Sequence, residues 1–120
     1  MQLYNALSQS VEELVVDEEP VTVYICGITP YDTTHLGHAF TYLSADVLIR
    51  YLEFLGHAVR YVQNVTDVDD DILRKAAEVG QDWQALGNRW TAHFIRDMQS
   101  LNVRPPDALP RATETIAEIV

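Results

Sequence analysis

The chain has 120 residues, 48% of them hydrophobic, which is enough for one folded domain but too short for two. Its formal net charge of −10, from 18 acidic and 8 basic residues, opposes binding to a phosphate backbone, so we expect this chain by itself to bind nucleic acid poorly. The longest apolar run is far shorter than a membrane span, and the single cysteine excludes an internal disulfide, which together favour a cytoplasmic protein.

Two strands are predicted in the first half of the chain. Residues 1–20 are polar and acidic, and we expect at most a short strand before Pro20. Residues 21–26 alternate β-branched and aromatic types, which indicates a strand, and residues 57–65 have the same character.

A long helix is predicted between these strands, from about residue 34 to residue 55, where Gly56 ends it. Asp32, Thr33 or Thr34 can cap its start. The stripe expected to face the core comprises Leu36, Ala39, Phe40, Leu43, Val47, Leu48, Leu52 and Leu55. Strand, helix and strand with short links form a βαβ unit, so the sequence predicts a parallel pair in an α/β fold.

The second half of the chain is predicted to be helical. One helix should begin at the acidic residues 69–71 and end at Gly80, and a longer one should run from about residue 82 to 101. Its expected buried stripe is Trp83, Leu86, Trp90, Phe94 and Leu101. Residues 104–106 form an extended link before a last helix near residue 110 or 111. Because that helix is still periodic at Val120, we expect a fragment of a larger α/β protein, truncated at its C-terminus.

Polar residues follow both predicted strands. Residues 26–29, Cys-Gly-Ile-Thr, come after the first, and Asn64, Val65 and Thr66 come at the end of the second. Ligands of open parallel sheets bind outside the carboxyl ends of the strands, which lie side by side. The sequence therefore predicts one binding site built from both segments.

Two histidines, His35 and His38, share one face of the first helical turn. The helix dipole opposes an imidazolium there, so we expect neutral rings that donate hydrogen bonds. Gly37 between them removes a side chain where a ligand approaches the backbone. This arrangement suits a triphosphate whose charge shifts as pyrophosphate leaves; the alternative is a surface helix start with two incidental histidines.

Cys26 has three interpretations. It is a buried, inert thiol, or a zinc ligand together with His35 and His38, or a zinc ligand completed by residues outside this chain. Of the two zinc sites we favour the second, because a local site would withdraw both histidines from phosphate. Asp67 and Glu78 are spaced as in a calcium loop, but Ile72 stands at the required glycine, so helix capping is the better interpretation of this acidic run.

These motifs together resemble a known family. Residues 23–38, 46–56, 61–70 and 105–113 resemble the N-terminal half of the catalytic domain of class I cysteinyl-tRNA synthetases. His35-Leu36-Gly37-His38 is similar to the class I signature, and Cys26-Gly27 upstream with Asn-Val-Thr-Asp-Val-Asp-Asp at 64–70 is typical of the cysteine-activating branch. The resemblance implies a Rossmann-like fold that condenses ATP with cysteine to cysteinyl-adenylate and then charges tRNA(Cys).

The resemblance also implies roles for individual residues. His35 and His38 would be catalytic, and Cys26 would be one ligand of a zinc that holds the sulfur of the substrate cysteine. The nucleotide and adenylate would contact Gly27, Ile28, Thr29, His35, Gly37, His38, Thr41, Asn64, Val65 and Thr66, with Mg²⁺ accompanying ATP. The other zinc ligands, the second signature loop and the tRNA-binding parts would lie outside this chain, so we expect the chain alone to be inactive.

Two related families share this half. Residues 27–32 and 34–39 look nearer the mycothiol-pathway cysteine ligase, which joins cysteine to an amino-sugar inositol. Residues 104–107 and 110–114 look more like the synthetase, and Asp71 departs from both, since Lys is usual there in synthetases and Pro in the ligases. We favour the synthetase, with the amino-sugar ligase as the alternative and a stand-alone nucleotide- or metal-binding module as a second one.

Overall fold

The computed structural model describes the backbone of residues 1–120 and every side chain except that of Ile119. Its elements, in chain order, are β1 (Gln2–Asn5), β2 (Ser10–Glu13), β3 (Val21–Ile28), α1 (Leu36–Phe54), β4 (Val59–Val65), α2 (Asp70–Val79), α3 (Trp83–Ser100) and α4 (Ala112–Ile119). The strands and helices predicted after residue 20 are all confirmed, each with ends within about two residues. The polar lead-in was expected to hold at most one strand, and instead β1 and β2 form an exposed antiparallel hairpin.

The predicted parallel pair is confirmed, because β3 and β4 run side by side in the same direction with α1 between them in sequence. A third segment continues the sheet beyond β4. Residues 107–111 run parallel to it through bridges from Val62 to Ala108 and from Val65 to Arg111. Pro105 and Pro106 predict only an extended link here, so the sequence does not predict this pairing.

The main core lies between the sheet, α1 and α3. It contains Ile28, Ala39, Tyr42, Phe94, Met98 and Val103. A second cluster joins α2 to α3 through Ile72, Ala76 and Leu86, with Trp83 and Trp90 packed against it. Of the stripe predicted for α3, Leu101 is wrong, because it is 44% exposed and Met98 is buried in its place.

The buried face of α1 differs from the predicted one. Leu36 and Phe40 are 87% and 74% exposed, and Val47 and Leu55 are exposed as well, whereas the buried residues are Ala39, Tyr42, Ala45, Asp46, Ile49 and Leu52. The helix carries apolar residues on two faces, so spacing alone did not select one. The face with Ala39 and Ala45 packs inward because small side chains let a helix approach a sheet closely. Asp46 is tolerated there because it accepts hydrogen bonds from Arg50 Nε and from the backbone N–H of Arg104.

Candidate functional site

The site begins where β3 departs from regular pairing with β4. Ile25 pairs with Gln63 and Ile28 pairs with Val65, so β3 has one extra residue between these pairs. Cys26 and Gly27 occupy this bulge, a device that redirects a strand near functional sites. The ladder resumes at its end, where the N–H of Thr66 donates to the carbonyl of Ile28 at 2.9 Å.

Asn64 of β4 holds the bulge in place. Its Oδ1 accepts the N–H of Gly27 at 2.7 Å and the hydroxyl of Tyr24 at 2.9 Å, while its Nδ2 donates to Thr66 Oγ1 at 3.3 Å. A Cβ on residue 27 would lie 1.4 Å from the carbonyl oxygen of Asn64, so no side chain fits there. Glycine is required at 27 by this close approach of two backbones.

The start of α1 is capped by histidine, contrary to the prediction of Asp32, Thr33 or Thr34. The N-cap is His35, whose Nδ1 accepts the N–H of Gly37 at 3.1 Å, and the N–H of His35 donates to His38 Nδ1 at 3.3 Å. This is a capping box formed by two imidazole rings, whose centroids lie 4.0 Å apart and whose planes are tilted by 31°.

These two bonds fix the protonation of both rings. A ring nitrogen that accepts a backbone N–H carries no proton, so each ring is neutral with its proton on Nε2. The expectation of neutral, donating histidines therefore agrees with the geometry. Burial lowers the pKa of His38, and the neighbouring His35 lowers it further, which favours the neutral form of this ring.

Gly37 has a different role from the predicted one. A Cβ there would lie 2.9 Å from Cε1 and Nδ1 of His35. The space that the missing side chain leaves is thus occupied by the capping ring rather than kept open for a ligand. A larger residue at 37 would displace His35 from the helix start.

A side-chain cluster ties the start of α1 to α3. Thr34 Oγ1 donates to Asp97 Oδ2 at 2.8 Å, and His93 Nδ1 bonds to the same oxygen at 3.0 Å. Thr34 directly precedes the N-cap, so Asp97 holds the two histidines in a fixed position relative to the core. The threonine hydroxyl is engaged here, which explains why Thr34 does not cap the helix.

A cavity of about 300 Å³ lies beside this helix start, and we call it the first cavity. The residues that line it are Gly27, Ile28, Thr29, Tyr31, Asp32, Thr33, Thr34, His35 and His38. Five predicted site residues therefore meet there: Gly27, Ile28, Thr29, His35 and His38. Its volume is at the lower end of the range for small-molecule sites.

The other predicted contact residues are not part of this lining. Asn64 and Thr66 stand behind it and support the bulge. Val65 is fully buried, and its N–H donates to the carbonyl of Pro110, so its side chain is part of the core. Thr41 is exposed on α1, where its hydroxyl bonds to the carbonyl of Gly37 at 3.2 Å.

Cys26 has an exposed side chain, so the interpretation as a buried, inert thiol is wrong. Among the residues whose side chains are described, no group of three or more His, Cys, Asp or Glu is placed to hold a metal ion. The local zinc site of Cys26, His35 and His38 is therefore wrong as well. Over the same part of the chain, no helix has the length and apolar character needed to cross a membrane.

Asp67, just after β4, is buried and is the centre of a polar cluster that the sequence does not predict. Thr113 donates to it from its hydroxyl at 2.6 Å and from its N–H at 2.9 Å, and Arg111 Nη1 lies at 3.5 Å. Burial raises the pKa of Asp67, but the Thr113 bonds and the Arg111 charge outweigh it, so the net pKa is lowered. The acidic residue that caps α2 is Asp69, which accepts the N–H of Asp71.

Comparison with known proteins identifies the family. The model of the class I (C) tRNA synthetase catalytic domain matches residues 12–120. The chain belongs to this family. Class I synthetases share the Rossmann-like α/β architecture described above.

Among curated relatives of this class I synthetase domain, a cysteine–tRNA ligase of Thermosynechococcus vestitus is 50% identical over 121 residues, covering all of this chain and 25% of the relative. An L-cysteine:1D-myo-inositol 2-amino-2-deoxy-α-D-glucopyranoside ligase of Corynebacterium urealyticum is 47% identical over 122 residues, covering all of this chain and 28% of the relative. The chain thus spans about a quarter of the length of the curated relatives it matches.

A solved structure shares the fold of this class I synthetase domain. Methionyl-tRNA synthetase of Mycobacterium tuberculosis, bound by methionyl-adenylate, superposes with a TM-score of 0.72 and 27% identity. The match covers 79% of this chain and 19% of that one.

Proposed function

We propose that this protein activates cysteine with ATP, forming cysteinyl-adenylate and pyrophosphate, and then transfers the cysteinyl group to tRNA(Cys). The observation that carries the proposal is the imidazole capping box beside the first cavity. Both rings use Nδ1 for the helix start, so both are left with an Nε2–H donor for an anionic ligand.

In the proposed first step the carboxylate of cysteine attacks the α-phosphorus of ATP, and the bond to pyrophosphate breaks. Negative charge then grows on the leaving phosphates. Neutral N–H donors held in place beside these phosphates stabilise the transition state more than they stabilise the bound substrate. His35 and His38 would supply these donors, together with the N-terminal dipole of α1. The first cavity is lined by no Lys or Arg in the part of the chain that is described, which leaves charge compensation to Mg²⁺ and to residues elsewhere.

Thr29 would contact the adenylate directly, since it lines the first cavity. Asn64 and Thr66 would act as positioning residues, because their polar atoms are used to hold the bulge and the end of β3. Val65 would support the site from the core, since its side chain is fully buried and its backbone pairs with the segment that ends at Arg111.

A zinc ion would take one ligand from this chain, the exposed thiol of Cys26, and the others from outside the described residues. Thiolate coordination would favour the sulfur of cysteine over the hydroxyl of serine, because soft donors prefer this metal. The net charge of −10 opposes contact with a phosphate backbone, so contacts with the tRNA would be made outside this chain. Such an enzyme would act in the cytoplasm.

The second candidate is transfer of cysteine to an amino-sugar inositol, favoured by the similar identity to a ligase of that kind. Both candidates share the first step. The third candidate is a stand-alone binding module without ligase activity. Pyrophosphate–ATP exchange distinguishes this module from both ligases, because only a ligase forms the adenylate.

The test is cysteine-dependent exchange of pyrophosphate into ATP by the protein that the native gene encodes, with zinc supplied. We expect exchange, and we expect His38→Ala to lower it roughly 100- to 1,000-fold, the usual effect of removing an oriented donor. His57→Ala is the matched control, because His57 bonds to Glu19 in a different part of the molecule. No exchange by the parent protein would contradict the proposal and favour the binding module.

A further inference from the structure

A second cavity, of about 490 Å³, opens beyond the carboxyl end of β4. Its walls come from three places in the chain: Asp67 after β4, the first turns of α3, and the start of α4. None of its lining residues lines the first cavity. This second cavity is therefore a separate compartment at the same edge of the sheet.

Some polar groups of the second cavity are already engaged. Asn88 Oδ1 accepts from Arg111 Nη1 at 2.7 Å, and the hydroxyl of Thr113 donates to Asp67. Gln84 and Glu114 differ from these, because their side chains make no hydrogen bond or ion pair with the residues that the structure describes. These two side chains are exposed at the cavity, available to a ligand.

The free groups match a particular ligand chemistry. Gln84 offers both a donor and an acceptor, and Glu114 offers acceptors. Trp83 adds a flat apolar surface to the same wall. Arg111 is the one cation of the lining and is offset by Asp67 and Glu114, so the cavity has an excess of negative charge and disfavours a free anion. A ring with several hydroxyls, or hydroxyls and an amine, satisfies all three features.

The position of the second cavity relates it to the first. Thr29 follows β3 and lines the first cavity, whereas Asp67 follows β4 and Arg111 ends the segment that pairs with β4. Neighbouring strands are about 5 Å apart, so the strand ends that contribute to the two cavities are one or two strand spacings, roughly 5–10 Å, apart. Transfer between the cavities would require a group held in the second to reach a carbonyl held in the first.

We propose that the second cavity binds the sugar ring of the acceptor that receives the activated cysteine. The inference rests on the proposed function, since it requires an adenylate in the first cavity. The ring is recognised by its hydroxyls and by stacking on Trp83. It is either the terminal ribose of an RNA or the amino sugar of a glycoside, and the chemistry of the cavity is shared by both.

The experiment compares the two half-reactions in the protein encoded by the native gene. Gln84→Ala and Glu114→Gln should each raise the KM for the acceptor about tenfold, the loss expected for one hydrogen bond to a ligand. Pyrophosphate–ATP exchange does not use the acceptor, so it reports whether the first cavity and the fold are intact. The matched control is Glu118→Gln, an exposed carboxylate one turn further along α4 that does not line the cavity.

Two acceptors are supplied in separate arms: a tRNA(Cys) transcript and 2-amino-2-deoxy-glucopyranosyl inositol. A raised KM in either arm supports the inference and names the source of the sugar. With exchange intact, an acceptor KM within twofold of the parent value for both variants would overturn the inference and leave the proposed function standing.

Equal losses of exchange and transfer would also overturn the inference, because the variants would then act on the fold. Absence of exchange in the parent protein would contradict the proposed function itself, and the inference with it.

Discussion

The carboxyl ends of β3 and β4 are neighbours in one sheet, yet the polar side chains that follow them differ in how fully they are hydrogen-bonded within the protein. At the end of β3 the strand bulges, and the histidines that follow use one nitrogen for the fold and leave the other free. At the end of β4 the carboxylate of Asp67 is buried and bonded to Thr113 and Arg111. The first end leaves one polar nitrogen of each histidine free, whereas the carboxylate at the second is satisfied within the protein and holds the third segment of the sheet.

The largest expected effect comes from the backbone contact that shapes the β3 end. Gly27→Ala should lower the free energy of unfolding by more than about 3 kcal/mol, because its Cβ would overlap the carbonyl oxygen of Asn64. Urea denaturation followed by circular dichroism measures this. Gly87→Ala is the control, since its Cβ would find only ordinary contacts at 3.9 Å and beyond, and a helical glycine gains about 1 kcal/mol on becoming alanine. Equal stability of the two variants would contradict the close approach.

An intermediate effect is expected at the β4 end. Asp67→Asn should cost about 2 kcal/mol at pH 7, because hydrogen bonds to a charged carboxylate are lost. The pKa of Asp67 is lowered below the ordinary 3.8, so its contribution to stability is present above that pH and is lost as the pH falls through the folded-state pKa.

The difference in unfolding free energy between the parent and Asp67→Asn should therefore be full at pH 7 and shrink below about pH 4. Asp70→Asn, an exposed first-turn carboxylate of α2, should cost less than about 1 kcal/mol at any pH. A difference that does not depend on pH would show that the Asp67 charge contributes nothing to stability.

The smallest effect concerns the link from α3 to the histidines. Asp97→Ala should lower pyrophosphate–ATP exchange about fivefold through kcat, because about 1 kcal/mol of positioning by one hydrogen bond is lost. Asp97→Asn keeps an oxygen that accepts from Thr34, so it should restore most of the rate. A loss that Asn does not rescue would indicate that the cluster matters only for packing.

The order and type of the elements were predictable from the sequence because each is encoded locally. Residues 21–26 are β-branched and aromatic, and Gly56 and Gly80 follow the ends of their helices with positive φ. The face of α1 was not predictable, since Phe40 and Tyr42 both satisfy helical spacing and only the sheet decides between them.

Part of the candidate site was predictable and part was not. The neutral histidines followed from the helix dipole, but the imidazole capping box did not, because histidine is an uncommon cap. The partners of Asp67 lie 44 and 46 residues further along the chain. Such a contact depends on the third sheet segment. The sequence does not predict this segment, because the two prolines before it indicate only an extended link.

The exposed thiol in the β3 bulge has a practical consequence. Cys26 is the only cysteine in the sequence and adjoins Gly27, which lines the first cavity. A thiol-reactive fluorophore would therefore label one position of this chain, and its emission would report on changes in the surroundings of the first cavity.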